Sequence, residues 1–398
     1  MAMSDASRIQ TDLAYSALAK TPRGESVRKM LEAHPSIKAA TGRLWLNHLI
    51  YRPVASVIGD LTCWYLLIED QQGHDAARKF LNDYFERETV RTMFCVWVFG
   101  IEPKRSYQFD GVSLVPVTEM PDSCERDEYL AHIRNHRSPV AHAAFTTETD
   151  IPRVVDDETA ARLVESKLMQ GPMDLLSEAV SLVNGIGNLS CLPHWHCTYQ
   201  RPDVPFGPWA PTGRMARGFD VVGTHSRPFA DEDSEALGEM LRRYHALGAS
   251  DKQWIQVILE RIQRSKRQGA PEGKILDLGI AAEMLLLRDQ NETDPIALPF
   301  RLRGSWLLGS GHRRRLEIYE LLKALYSYRC QIAHGGSFKG EKHAHAAAER
   351  IPEFYATVQE ILRLAIRPTY PRNGADWLGV ILGEGRGPDT TLPRPEGV

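Results

Sequence analysis

RRRLEIYELLKALYSYRCQIAHGG, residues 313–336, is the stretch on which the reading of this chain turns. Its apolar stripe runs through Leu316, Ile318, Leu322, Leu325 and Ile332, the pattern of a long amphipathic helix. Gly335-Gly336 should end that helix, because glycine accepts the left-handed conformation that closes a helix C-terminus. Outward from it the pattern repeats. SEALGEMLRRYHAL, DKQWIQVILERIQRSKRQ and PEGKILDLGIAAEMLLLRDQ each place apolar residues at helical spacing. PFRLRGSWLLG reads as a shorter element. EKHAHAAAERIPEFYATVQEILRLAIRP reads as one or two helices with Pro352 near a start or a kink. Residues 234–370 therefore read as an all-α helical bundle.

Residues 1–233 read differently, as an α+β region. SVRKMLEAHPSI and GHDAARKFLNDYFERE have helical spacing, whereas RLWLNHLIYRPVASVIGDLTCWYLLIED fits buried helix or strand equally. TMFCVWVFG is a β-branched and aromatic run, FDGVSLVPV alternates beside an Asp110-Gly111 turn signal, and AHAAFTTETD and IPRVVD are further strand candidates. ETAARLVESKL and MDLLSEAVSLV return to helix. Residues 189–233, rich in Pro, Gly, aromatics and His, form an irregular boundary segment expected to pack on a domain. Residues 371–398 form a tail expected to be largely disordered, being Pro/Gly-rich after about Gly383.

A chain of 398 residues suggests two domains. A net charge of -3 excludes a protein that binds nucleic acid through its overall charge, so such a site must be a local basic patch. No apolar run reaches the roughly 18 residues of a membrane helix, and the N-terminus lacks the basic-then-apolar order of a secretory signal. Six cysteines spread over this length do not form a disulfide framework. The expectation is a cytoplasmic protein with reduced thiols and no membrane partner. CLPHWHC offers Cys191, His194, His196 and Cys197 as zinc ligands, but the spacing is cramped and no second cluster follows, so a loop is the preferred reading and no metal is expected. GIGN at 185–188 lacks the third glycine of a dinucleotide fingerprint, and no cofactor motif occurs.

The string RCQIAH sets Arg329 and His334 four intervening residues apart. Spacing alone means little, since Arg28/His34, Arg43/His48, Arg126/His132 and Arg137/His142 match as well. Context separates the last pair: it ends a long helix, similar helices flank it, and a double glycine follows. This arrangement resembles the HEPN superfamily and, within it, the ApeA-like branch. The matching pieces are ILDLGIAAEMLLL with Glu283, FRLRGSWLLG with Arg301 and Arg303, and LLKALYSYRCQIAHGG with Arg329 and His334; WIQVILERIQRSKRQ fits the expected first helix. FDGVSLVPVTEMP is similar to a segment that precedes ApeA-like domains. Cys330 departs from the family, in which the residue after the motif arginine is usually polar, and a thiol is a weak hydrogen-bond partner.

The resemblance implies metal-independent RNA cleavage by attack of a ribose 2′-OH on its own phosphate. Arg329 would hold the charged phosphoryl oxygens and His334 would be the acid or base. Glu283 could orient Arg301 or Arg329, or be plain surface. The resemblance also implies a homodimer whose paired helices share a cleft, and a toxin or defence effector whose N-terminal region senses a ligand or protein. Arg313, Arg314 and Arg315, with Arg301 and Arg303, could track RNA phosphates; the rival reading of HRRR is a solvated helix start. The rival function is a catalytically inactive HEPN scaffold for RNA binding or dimerisation, which Cys330 favours. One point comes from geometry alone: five residues of α-helix turn about 500°, leaving Arg329 and His334 roughly 140° apart.

Overall fold

The computed structural model describes residues 15–47, 50–121, 126, 142–187, 189–200, 214–215, 226–290, 295–338 and 340–383. The chain divides into two compact units, Met1–Ala179 with Pro193–Phe219, and Val180–Leu192 with Asp220–Val398. The expected irregular stretches at 201–213 and 216–225, and the tail at 384–398, lie outside the described residues.

The N-terminal unit is an α/β assembly. After a helical turn at 15–18 come helices α1 (Pro22–Ala33) and α2 (Pro35–Ala39), each with proline in its first turn, where no intrahelical donor is needed. The aromatic stretch that fitted helix or strand is both. It forms the hairpin β1 (Leu44–Asn47) and β2 (Ile50–Pro53), then the buried helix α3 (Val54–Gln72). Gly73, at φ 92°, separates α3 from α4 (His74–Glu86). Arg153 binds hairpin to helix. Its guanidinium lies 4.7 Å from the Trp45 ring and 5.3 Å from that of Tyr84, and donates to the carbonyls of Phe85 and Arg87.

The main sheet is built on β3 (Thr89–Phe99), whose outer end alternates in burial and whose inner end is buried on both faces. Next come β4 (Ile101–Pro103), β5 (Tyr107–Gln108), β6 (Ser113–Pro116), β7 (Ala143–Pro152) and β8 (Val154–Val155). β9 (Leu192–Gln200) and β10 (Arg214–Met215) complete a six-stranded sheet of order β10-β9-β3-β7-β6-β5. β3 and β7 pair antiparallel from Thr89↔Pro152 to Val98↔Ala143. The Asp110-Gly111 turn connects β5 to β6, with Gly111 at φ 77° and the Phe109 amide donating to the Val112 carbonyl. CLPHWHC is therefore largely strand β9 rather than a loop: its distant partner β3 satisfies the backbone. Helices α5 (Glu158–Val164) and α6 (Gln170–Val183) follow β8, joined by one π-helical stretch, Glu165–Met169.

The C-terminal unit is mostly helical: α7 (Asp231–His245), α8 (Ala249–Arg267), α9 (Pro271–Leu286), α10 (Ala297–Leu308), α11 (His312–Gly335), α12 (Glu341–Glu349), α13 (Ile351–Ala365) and α14 (Gly374–Leu382). α9 is the central element, packed against α8, α11 and α13. Its small residues Gly279, Ala281 and Ala282 allow close approach, and its core side chains are Ile275, Leu278, Leu285 and Leu286. Gly336, at φ 71°, closes α11 with its amide on the Ile332 carbonyl. Pro352 begins α13 rather than kinking a single long helix.

The division differs from the expected one: residues 180–192 belong to the helical unit, that unit resumes at Asp220 rather than at 234, and helix α14 lies beyond residue 370. Asn373 caps α14, and Trp377 buries itself beneath Arg303, whose guanidinium lies 4.9 Å from the ring. No helix among the described residues is long and apolar enough to cross a membrane.

Candidate functional site

Arg329 lies where α11 crosses α9. The crossing is close because Gly279 has no side chain: a Cβ there would sit 2.7 Å from Arg329 Cγ and 2.8 Å from its Cβ. One turn further along α9, Glu283 Oε2 accepts from Arg329 Nη2 at 2.8 Å. The two side chains are only 15% and 24% exposed. Burial raises the Glu283 carboxyl above its ordinary value, and the Arg329 charge and hydrogen bond pull against that shift. Glu283 Oε1 and Arg329 Nε are buried and have no hydrogen-bond partner among the described residues.

Two neighbours complete the cluster. Tyr326 and Cys330 flank Arg329 on α11, both half-buried. The Tyr326 phenol is raised by burial, then by the Cys330 thiol and the Glu283 charge, with Arg329 opposing. Its ring packs 5.6 Å from Phe300 of α10. The spacing 326, 329, 330 puts all three side chains on neighbouring helix positions, a signal that sequence reasoning could have used.

His334 is placed differently. It is exposed in the last turn of α11 and has no hydrogen-bond or ion-pair partner among the described residues. The helix runs unbroken through 335, so the angular separation expected of an α-helix persists. One chain therefore joins Arg329 to Glu283 and leaves His334 apart.

The five arginines expected to track phosphates divide into three groups. Arg303 is withdrawn from the surface: it is 5% exposed, pairs with Asp289 at 2.5 Å and donates to the Leu286 carbonyl. That is a structural ion pair, and no phosphate reaches it. Arg313 and Arg314 are exposed, and each pairs with Glu317 at 3.2 Å. Arg301 and Arg315 lie on aromatic rings, Tyr319 and Trp306 respectively. Arg315 stands 14 positions before Arg329 on α11, about 21 Å along the axis.

The other motifs resolve into structure. Cys197 Sγ accepts from Trp97 Nε1 at 3.1 Å inside the sheet. Asn184 clasps the backbone of Cys191 through both its amide atoms. Gly185 of GIGN is a packing position, since a Cβ there would sit 2.8 Å from Met240 and 3.0 Å from Leu362. No group of three or more His, Cys, Asp or Glu among the described residues is placed to hold a metal ion.

The C-terminal unit thus defines a helical protein with a half-buried arginine–glutamate pair at a tight helix crossing. Compared with family models, curated proteins and solved structures, the chain matches none.

Proposed function

We propose that the chain is a metal-independent endoribonuclease of HEPN type, acting as a homodimer. The observation that carries the reading is the Glu283–Arg329 pair, which joins α9 to the helix that also ends in His334. A guanidinium stays cationic at any working pH and offers parallel donors to phosphoryl oxygens. Glu283 engages Nη2 while Nε is buried, so Nη1 of Arg329 is the donor left for a scissile phosphate. The ribose 2′-oxygen attacks phosphorus, the bond from phosphorus to the 5′-oxygen breaks, and the products are a 2′,3′-cyclic phosphate and a 5′-hydroxyl. His334, whose imidazole can give or take a proton, handles one of the two protons. Because one copy keeps its arginine and histidine apart, the working cleft takes groups from two copies.

The second reading is a HEPN-like scaffold that binds RNA or dimerises without cutting. Cys330 favours it, because a thiol beside Arg329 orients a phosphate poorly. Purified protein incubated with RNA in EDTA separates the two. Under the nuclease reading, wild type yields cyclic-phosphate ends, Arg329→Ala and His334→Ala each lose at least 100-fold in rate, on the order expected for loss of a transition-state donor or a proton carrier, and light scattering gives a dimer mass. Cleavage that survives both substitutions, or that requires a divalent metal, removes the mechanism. A dimer that binds RNA and leaves it intact selects the scaffold.

A further inference from the structure

A short length of chain, residues 180–192, belongs to the helical unit, although the chain on both sides of it belongs to the N-terminal unit. It carries the last turn of α6 and the first residue of β9, Leu192. Leu182, Val183, Ile186 and Leu189 within it are each 5% exposed or less.

Two sets of hydrogen bonds hold this segment. The first closes it on itself. Asn184, fully buried, donates from Nδ2 to the carbonyls of Val180 and Cys191, at 3.1 and 2.8 Å, and its Oδ1 accepts from the Cys191 amide at 3.0 Å. The end of α6 and the start of β9 are thus tied at one neck. The second set fastens the neck to two helices of the same unit. Lys266 of α8 donates to the carbonyls of Asn184 and Leu189, and Gln359 of α13, itself 1% exposed, donates to the Asn184 carbonyl at 2.7 Å. Both lone pairs of that carbonyl are therefore engaged. Gly185 lies against the ends of Met240 of α7 and Leu362 of α13.

These bonds lie away from water, so a lost partner is not replaced, and they form or break with insertion of the segment. Fraying of an element begins at its ends, and here the C-terminal end of α6 and the N-terminal end of β9 share one anchor. We infer that residues 180–192 are a clasp, with Lys266 and Gln359 as its fixed half, and that its opening releases α6 and β9 together. It is a conformational device: a change at α8 or α13 reaches both elements through the continuous backbone. It stands apart from the nuclease reading.

The test is native-state hydrogen exchange, followed by mass spectrometry on the full chain. Lys266→Met removes the donor on the helical side, and Asn184→Ala removes the neck on the other. Each should speed exchange at least tenfold in α6 and β9 as well as in 184–191, since losing a buried partner costs about 1–3 kcal/mol. Amides of α11, and of β7, which is not bonded to β9, should change less than about twofold. A rise confined to 184–191, a rise shared equally by α11 and β7, or no rise would overturn the inference. Wild type supplies a second measurement that needs no variant to fold. In low urea the slowest amides of α6 and β9 should share one opening free energy and one urea slope, and two distinct slopes would overturn the clasp as well.

Discussion

Lys266 offers the sharpest test of the helical unit's energetics. Its ammonium donates to the carbonyls of Asn184, at 3.0 Å, and Leu189, inside the turn that follows α6. The Tyr355 ring is 5.9 Å away, and Gln359 Nε2 also donates to the Asn184 carbonyl. Burial pushes the ammonium down to about 7 from an ordinary 10.5, with the Cys191 thiol opposing the shift and the Arg227 charge adding to it. Below pH 7 folded and unfolded chains both hold this proton. Between about 7 and 10.5 the unfolded chain binds more of it, so stability rises with pH across that window. Each pH unit inside it contributes at most about 1.4 kcal/mol, or about 3 kcal/mol from pH 7 to 9. The two carbonyls favour the charged form, so this is an upper bound. Above pH 10 buried tyrosines raised by desolvation, among them Tyr84 and Tyr370, act in the opposite direction, and the measurement stops below them. The perturbation is Lys266→Met, which keeps the stem and removes the titrating group. It also leaves the Leu189 carbonyl without its donor, at a pH-independent cost of about 1–3 kcal/mol. Urea unfolding of both proteins at half-unit steps from pH 6.5 to 9.5 gives the difference in stability, which cancels every titration they share. That difference should grow in favour of wild type as pH rises. A flat difference would mean that the carbonyls fully offset desolvation, and a falling one that the sign is wrong; either refutes the reasoning.

Two substitutions probe the packing around the site. Gly279→Ala puts a methyl group against Arg329 Cβ, an atom fixed to the α11 backbone, so the helices must part; we expect a loss of about 1–3 kcal/mol in urea unfolding, and wild-type stability would show that the crossing is loose. Asp289→Ala strands the buried Arg303 without a counter-charge and should cost about 3–5 kcal/mol, of which the added change Arg303→Met should restore a large part; equal instability of the single and double variants would contradict the ion-pair account.

Helices α7 to α13 were legible because apolar residues recur three and four apart and several have local punctuation, such as Gly336 after α11 and Pro352 at the start of α13, whereas α14 was not, since residues 371–398 read as a tail. Strands β3 and β7 were legible from their β-branched and aromatic runs. The hairpin at 44–53 was not, because a short apolar run fits both states and its third strand, Val154–Val155, lies a hundred residues away. CLPHWHC misled for the same reason, since pairing with a remote strand leaves no local trace. Arg303 looked like Arg301 and Arg315 in sequence. Only Asp289, folded back against it, distinguishes a buried structural cation from an exposed one. The Glu283–Arg329 pair was anticipated as one of two pairings; the choice between Arg301 and Arg329 depends on how α9 and α11 cross, which Gly279 governs by its missing side chain.

The site is uneven in how firmly its parts are held. Arg329 is fixed at its base by the close fit over Gly279 and at its tip by Glu283, so its charge stays in place without a ligand. His334 sits on an exposed final turn, and no hydrogen bond or ion pair from the described residues sets its ring. Catalysis by a proton carrier requires that the carrier be positioned to within a few tenths of an ångström, and an unrestrained imidazole spends little time there. A surface brought by a second copy would provide that restraint and would supply the arginine that the same chain holds too far round the helix. Under the proposed dimeric nuclease, the buried half of the site would belong to the fold of each chain and the exposed half to assembly. Loss of dimerisation should then abolish cleavage while leaving the Glu283–Arg329 pair intact.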